Sequence, residues 1–208
     1  MISQKITAIL LAIPLITMAI PSIYYWSRFR KKSREKSGKK AMYNKIFLGL
    51  LAGGFFCAWV VWIGSCIFLF LNKFYSIFGF LTFSTHIETA LQISGVFIFY
   101  IGAITYNLNI IVAGEYLAPA TSPLLKNHKL IQKGAFGIIR HPQYVSYIFI
   151  LTGLSLILFT YWLFIPTLCV IIGIYPTAKA EEELLIKHFG EEYLEYQRKV
   201  GMFFPKLF

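Results

Sequence analysis

Two short clusters hold most of the side chains that could do chemistry. Arg140-His141-Pro142, with Tyr144 two residues on, forms the first, and Glu181-Glu182-Glu183 forms the second. An arginine offers a planar fork to a carboxylate or a phosphate. A glutamate accepts hydrogen bonds from an ammonium or from ribose hydroxyls. Pro142 suits the first turn of a helix, where its missing N–H leaves no bond unmade. That places Arg140 and His141 beside a helix N-terminus, a natural position for an anion. The two clusters together predict a site with a positive and a negative end, one small zwitterion apart. The alternative for the glutamates is that acids favour the first turn of a helix through its dipole.

The first cluster closes a longer polar stretch, residues 128–144, reading H-K-L-I-Q-K-G-A-F-G-I-I-R-H-P-Q-Y. Its glycines, Gly134 and Gly137, let the backbone come close to a flat ring. Other chemistries lack their residues. There is no G-x-S-x-G elbow and no H-E-x-x-H, and His86, His128, His141 and His188 are scattered, so no zinc site is expected. No G-x-G-x-x-G follows a strand pattern, which removes a Rossmann domain. Asp is absent altogether, against a magnesium-dependent phosphotransferase. Cys57, Cys66 and Cys169 sit in apolar runs without ligand spacing and read as small hydrophobes, buried or facing lipid.

These clusters need elements to hold them, and the composition says where those elements lie. The 208 residues are 57% hydrophobic and 18% aromatic, which no soluble domain matches. The net charge of +11 is clustered beside apolar runs, the pattern of topology anchors and of contact with anionic lipid rather than with nucleic acid. Residues 6–26 form a first span, with Pro14 and Pro21 inside and an interfacial belt of Tyr24, Tyr25 and Trp26. A basic loop, 28–45, carries nine Lys+Arg against Glu35 alone. Further spans are 46–71, glycine-rich at Gly49, Gly53, Gly54 and Gly64, and 87–112, with Glu88 at one end and Asn107 and Asn109 near the other. Residues 143–159 and 161–175 read as a tight helical hairpin. From Lys179 an amphipathic helix follows, with Leu185, Phe189 and Tyr193 at i, i+4, i+8 and Gly190 as a break.

The fold expected is thus an all-α integral membrane protein of about five transmembrane helices, with a cytosolic amphipathic helix at the C-terminus. Residues 1–112 form an N-terminal membrane region and 113–208 the region of the site. Eighteen of the twenty Lys+Arg fall on one face, the exceptions being Lys5 and Lys73. That face is expected in the cytoplasm, with the N-terminus outside and both clusters and the C-terminus inside.

The order of these residues resembles a known family. H-x-L-[IV]-x-x-G-x-[FY]-x-x-[IV]-R-H-P-x-Y, an apolar hairpin, then E-E-x-L-x-x-x-F-G-x-x-Y-x-x-Y and a closing proline is similar to the isoprenylcysteine carboxyl methyltransferases, and more loosely to the phospholipid methyltransferases. Here the second box is Glu181, Glu182, Leu184, Phe189, Gly190, Tyr193 and Tyr196, with Pro205. The likeness covers about the last eighty residues. It implies S-adenosyl-L-methionine as cofactor, held on the cytosolic face by His128, Lys129, Leu130 and Ile131, by Phe136, by His141, Pro142, Gln143 and Tyr144, and by Glu181. Arg140, His141 and Glu181 are then the candidate catalytic residues, and the acceptor is a lipophilic molecule or lipid. Two positions depart from the family pattern. Phe136 stands where a tyrosine is usual. Thr177 stands where many members carry an arginine associated with the acceptor, and Lys179 points elsewhere on a helix. A nicotinamide-dependent reductase of the membrane sterol type and a non-catalytic scaffold or transporter are the competing readings.

Overall fold

The computed structural model describes residues 2–35, 45–71, 73, 85–116, 129–159 and 161–206. Six α-helices occupy most of them: α1 (Gln4–Glu35), α2 (Lys45–Phe70), α3 (Thr85–Ala113), α4 (Pro142–Leu158), α5 (Tyr161–Phe189) and α6 (Glu191–Lys199). Short 3-10 turns follow α3 and precede α4, at Gly114–Tyr116 and Gly134–Gly137. Among the described residues no strand forms, and Ile139 and Gly201 make an isolated parallel bridge.

Among the described residues four helices are long and apolar enough to cross a membrane, and α4 is a shorter apolar one. Their outer faces show why. Ile6, Ile9, Ile13, Ile16, Ile20 and Ile23 line one exposed stripe of α1, and Ile93, Phe97, Ile101, Ile104, Leu108 and Ile111 line one of α3. Apolar stripes of that extent belong in hydrocarbon, not water.

The shorter apolar helix, α4, lies deepest. Ile150, Leu151, Leu154, Ile157 and Leu158 of α4 are all buried, with α3 on one side and α5 on another. Between α3 and α4 the backbones touch. A Cβ at Gly153 would lie 2.5 Å from the Phe99 amide nitrogen, and one at Gly102 would lie 2.7 Å from that of Ile150. Such small-residue contacts replace the hydrophobic drive that lipid removes. Polar bonds add to them. The fully buried Gln92 of α3 takes the Ile2 amide at 3.0 Å and donates to the Ile157 carbonyl at 3.2 Å. Trp62 of α2 and Tyr100 of α3 donate to the Leu11 and Leu10 carbonyls of α1.

Two boundaries differ from the sequence expectation. Residues 28–35 are not loop but the last turns of α1, built from good helix formers with Arg28 stacked on Tyr24 at 4.9 Å. The remaining basic positions, 36–44, lie outside the described residues. The second hairpin arm does not stop at Tyr175, and no separate helix begins at Lys179. One helix runs through Pro166 and Pro176 to Phe189, because the Ala- and Glu-rich sequence after Pro176 sustains it and packing tolerates the missing amides. The break falls at Gly190, as expected, where φ +60 suits glycine. The amphipathic helix beyond it is α6.

Candidate functional site

Hairpin closure brings the two clusters into contact. Pro142 opens α4 in its first turn, so Arg140 and His141 precede the helix as its spacing predicts. Glu181 and Glu182 ride the lower part of α5. The charges do not stand at opposite ends of an open gap, as the sequence suggested. Arg140 and Glu182 bond directly, Nε to Oε1 at 2.6 Å and Nη2 to Oε2 at 3.3 Å, a two-pronged pair. Arg140 Nη1 also donates to the carbonyls of Val200 and Gln197. Gln197 Nε2 donates to Glu182 Oε2 at 2.8 Å. Both charged side chains are nearly sealed, 11% and 9% exposed, so each depends on the other to offset its lost hydration.

His141 sits between the two carboxylates. Its Nε2 is 3.1 Å from Glu182 Oε1 and its Nδ1 is 3.7 Å from Glu181 Oε2. Tyr144, one turn along α4, donates its hydroxyl to Glu181 Oε1 at 2.8 Å and lies 5.7 Å from the imidazole, ring stacked on ring. Glu181 therefore has one oxygen held by Tyr144 and the other turned toward His141. Its side chain is 22% exposed, the most open of the group. The Gln143 amide neighbours the Tyr147 phenol on the next turn of α4, and its two buried polar atoms make no close hydrogen bond among the described residues.

The outer wall is α6. Tyr193, Tyr196 and Val200 form a small second core with Leu130, Leu185 and Phe189 against it. Tyr196 donates to the Phe136 carbonyl at 2.5 Å. Burial pushes its phenol up to about 12, so the donor proton is present throughout the physiological range.

The structure thus joins Arg140, His141, Tyr144 and Glu181, with Gln143 adjacent. Leu130 and Phe136 anchor α6, and the Phe136 ring is buried. Ile131 is half-buried, Lys129 is exposed, and His128 lies outside the described residues. Glu182 was read from the sequence only as a member of the second cluster, and Gln197 was not singled out at all. Nothing local marks Gln197, because its partner arrives from a helix ending eight residues earlier. Thr177 is 2% exposed and spends its hydroxyl on the Gly173 carbonyl at 2.7 Å, while Lys179 is exposed. Asn109 joins α3 to α4 through Ser146 at 3.2 Å, so it serves helix contact. Among the described residues no group of His, Cys, Asp or Glu could hold a metal.

Residues 85–192, from the start of α3 into α6, match the family described as phospholipid methyltransferase. The chain belongs to the phospholipid methyltransferase family. Both halves of the site, Arg140-His141 and Glu181-Glu182, fall inside the region that defines the family here. A curated relative, protein-S-isoprenylcysteine O-methyltransferase of Saccharomyces cerevisiae, is 30% identical over 89 residues, 38% of this chain and 34% of the relative. The match thus spans about a third of that relative's length. The fold is similar to a solved eukaryotic intramembrane Ras methyltransferase, isoprenylcysteine carboxyl methyltransferase. The TM-score is 0.50 at 18% identity, covering 98% of this chain and 93% of that one. The likeness that the two sequence boxes carry is therefore matched by family, relative and fold.

Proposed function

We propose that this chain is an integral-membrane methyltransferase that uses S-adenosyl-L-methionine and acts on a lipophilic acceptor. The observation that carries the reading is Glu181, held by Tyr144 and facing His141. A carboxylate and an imidazole on one wall suit the ammonium and the hydroxyls of an amino-acid nucleoside. Arg140 takes a different part from the one its sequence position suggested. Saturated by Glu182 and two carbonyls, it holds the wall in shape and does not grip the ligand.

When bound, S-adenosyl-L-methionine supplies an electrophilic methyl group on a sulfonium. The chain's own residues then have three tasks. Glu181, His141 and Gln143 bind and orient. The buried α4 and α6 faces exclude water. A proton must be moved only for some acceptors. A carboxylate acceptor is already ionised at neutral pH, whereas an amine or hydroxyl must release a proton, and His141 Nδ1 or a Glu181 oxygen is in place to take it.

The acceptor reaches the site sideways from the bilayer, since α3 and α5 present lipid-facing stripes on either side of α4. Thr177, buried and committed to its own helix, gives a carboxylate no cationic fork. Prenylated cysteine is accordingly a poor substrate, and a small lipophilic acceptor the better one. The site and the C-terminus face the cytoplasm, with the N-terminus outside, because the basic residues cluster on that side.

Calorimetry on the purified chain tests the reading. S-adenosylhomocysteine should bind and NADPH should not. Binding of NADPH in its place transfers the chain to the reductase reading, and binding of neither supports a scaffold.

A further inference from the structure

After α6 the chain doubles back across the entrance to α4. Val200 is extended, and Gly201 pairs with Ile139 as a parallel bridge. The Arg140 amide donates to the Gly201 carbonyl at 2.8 Å and the His141 amide to that of Met202 at 3.1 Å. The Phe203 ring lies 5.8 Å from the His141 imidazole, tilted 47° to it. Met202 and Phe203 pack on the main core. The bend that follows leaves no space at Gly201, where a Cβ would clash with the Phe204 carbonyl oxygen. Lys206 Nζ then reaches back to the carbonyls of Gln197 and Arg198, at 3.3 and 2.7 Å, fastening the segment to the end of α6.

His141 needs this support. It is the residue before α4, with an irregular backbone and no side-chain cap of its own. No helix bond fixes its amide. Its ring must nevertheless stay between Glu181 and Glu182. We infer, building on the cofactor reading above, that residues 200–204 are a positioning strap, and that Gly201 and Phe203 set cofactor affinity by fixing His141. They touch no ligand. They act through the backbone and ring of a residue that does.

The test compares the full-length protein with Phe203→Leu, Phe203→Ala and Gly201→Ala. Two readouts are taken: S-adenosylhomocysteine affinity, and the ring resonances of His141 in histidine-labelled, ligand-free protein, assigned by their loss in His141→Asn. Phe203→Ala and Gly201→Ala should weaken binding roughly tenfold or more, about 1.4 kcal/mol per decade. Both should shift the His141 resonances. Phe203→Leu, which keeps bulk, should recover affinity to within about threefold of the native protein. Unmoved His141 resonances in both disruptive variants overturn the strap, whatever happens to affinity. Shifted resonances in a protein that binds no S-adenosylhomocysteine even unaltered leave the strap standing as the support of His141 and overturn the cofactor reading. A loss of affinity with lowered thermal stability and no change at His141 marks the segment as structural only.

Discussion

Glu181→Gln keeps the size of the side chain and its contact with Tyr144 while removing the charge. The loss expected is about 1.5–3 kcal/mol of S-adenosylhomocysteine affinity, the scale of one hydrogen bond to a charged group. Unchanged affinity by calorimetry rejects Glu181 as a ligand contact. Glu182→Gln acts differently, since it strips the partner from a buried Arg140. Loss of stability of about 3–5 kcal/mol is expected from an uncompensated buried charge, read as a lowered midpoint in thermal unfolding in detergent. A midpoint within a degree or two of the native one contradicts the structural role given to that pair. Of three identical neighbours, Glu181 to Glu183, only the family resemblance, and not spacing or chemistry, singled out the first. On a helix each points about 100° from the last, and the arrival of Arg140 and His141 just before α4 and of Tyr144 on it sets Glu181 against Tyr144 and Glu182 in the ion pair, leaving Glu183 exposed.

At the scale of elements, the glycines show the same limit. The four conspicuous ones in α2 include a single contact position. A Cβ on Gly54 would lie 2.8 Å from the Pro166 carbonyl of α5, while Gly49, Gly53 and Gly64 meet nothing within 4 Å. The seam nearest the site is made instead by Gly95, Gly102 and Gly153, spread over two helices that the pattern did not join. Gly153→Ala should therefore force α3 and α4 apart, costing about 1–3 kcal/mol by overpacking, whereas Gly64→Ala should be neutral or slightly stabilising. Equal thermal midpoints for the two variants dispose of the seam. The helices themselves were largely legible, because uncharged runs of 20 or more residues announce spans. What was not legible was that α5 runs on past Tyr175: a proline shortly before the glutamates reads as a stop, and only tertiary packing overrules it.

For the whole molecule, the predicted orientation places the charged end of α1 and the strap on the same side. Cysteines introduced at Ser33 and at Lys206, in a background lacking Cys57, Cys66 and Cys169, should resist an impermeant thiol reagent in intact cells and react after permeabilisation. Labelling of either from outside reverses the topology and moves the cofactor site to the opposite compartment. Charge asymmetry is what predicts this orientation, while the architecture of the site needed three distant segments, residues 136–147, 181–182 and 196–203, to converge.

The unbroken length of α5 has a further effect. Its upper part exposes Ile165, Leu168 and Ile172, and the same rod carries Glu181 and Glu182. Its apolar part, residues 161–178, measures about 27 Å, close to the roughly 30 Å of hydrocarbon in an ordinary bilayer. An apolar rod set in a thinner slab leans, and any lean shifts the carboxylates relative to His141, which the strap holds still. Turnover in vesicles should then pass through a maximum as the acyl chains are lengthened from 14 to about 22 carbons at constant headgroup. A flat profile shows the glutamates to be uncoupled from bilayer thickness; a peaked one makes the lipid tails, which never touch the reacting atoms, a control on methyl transfer.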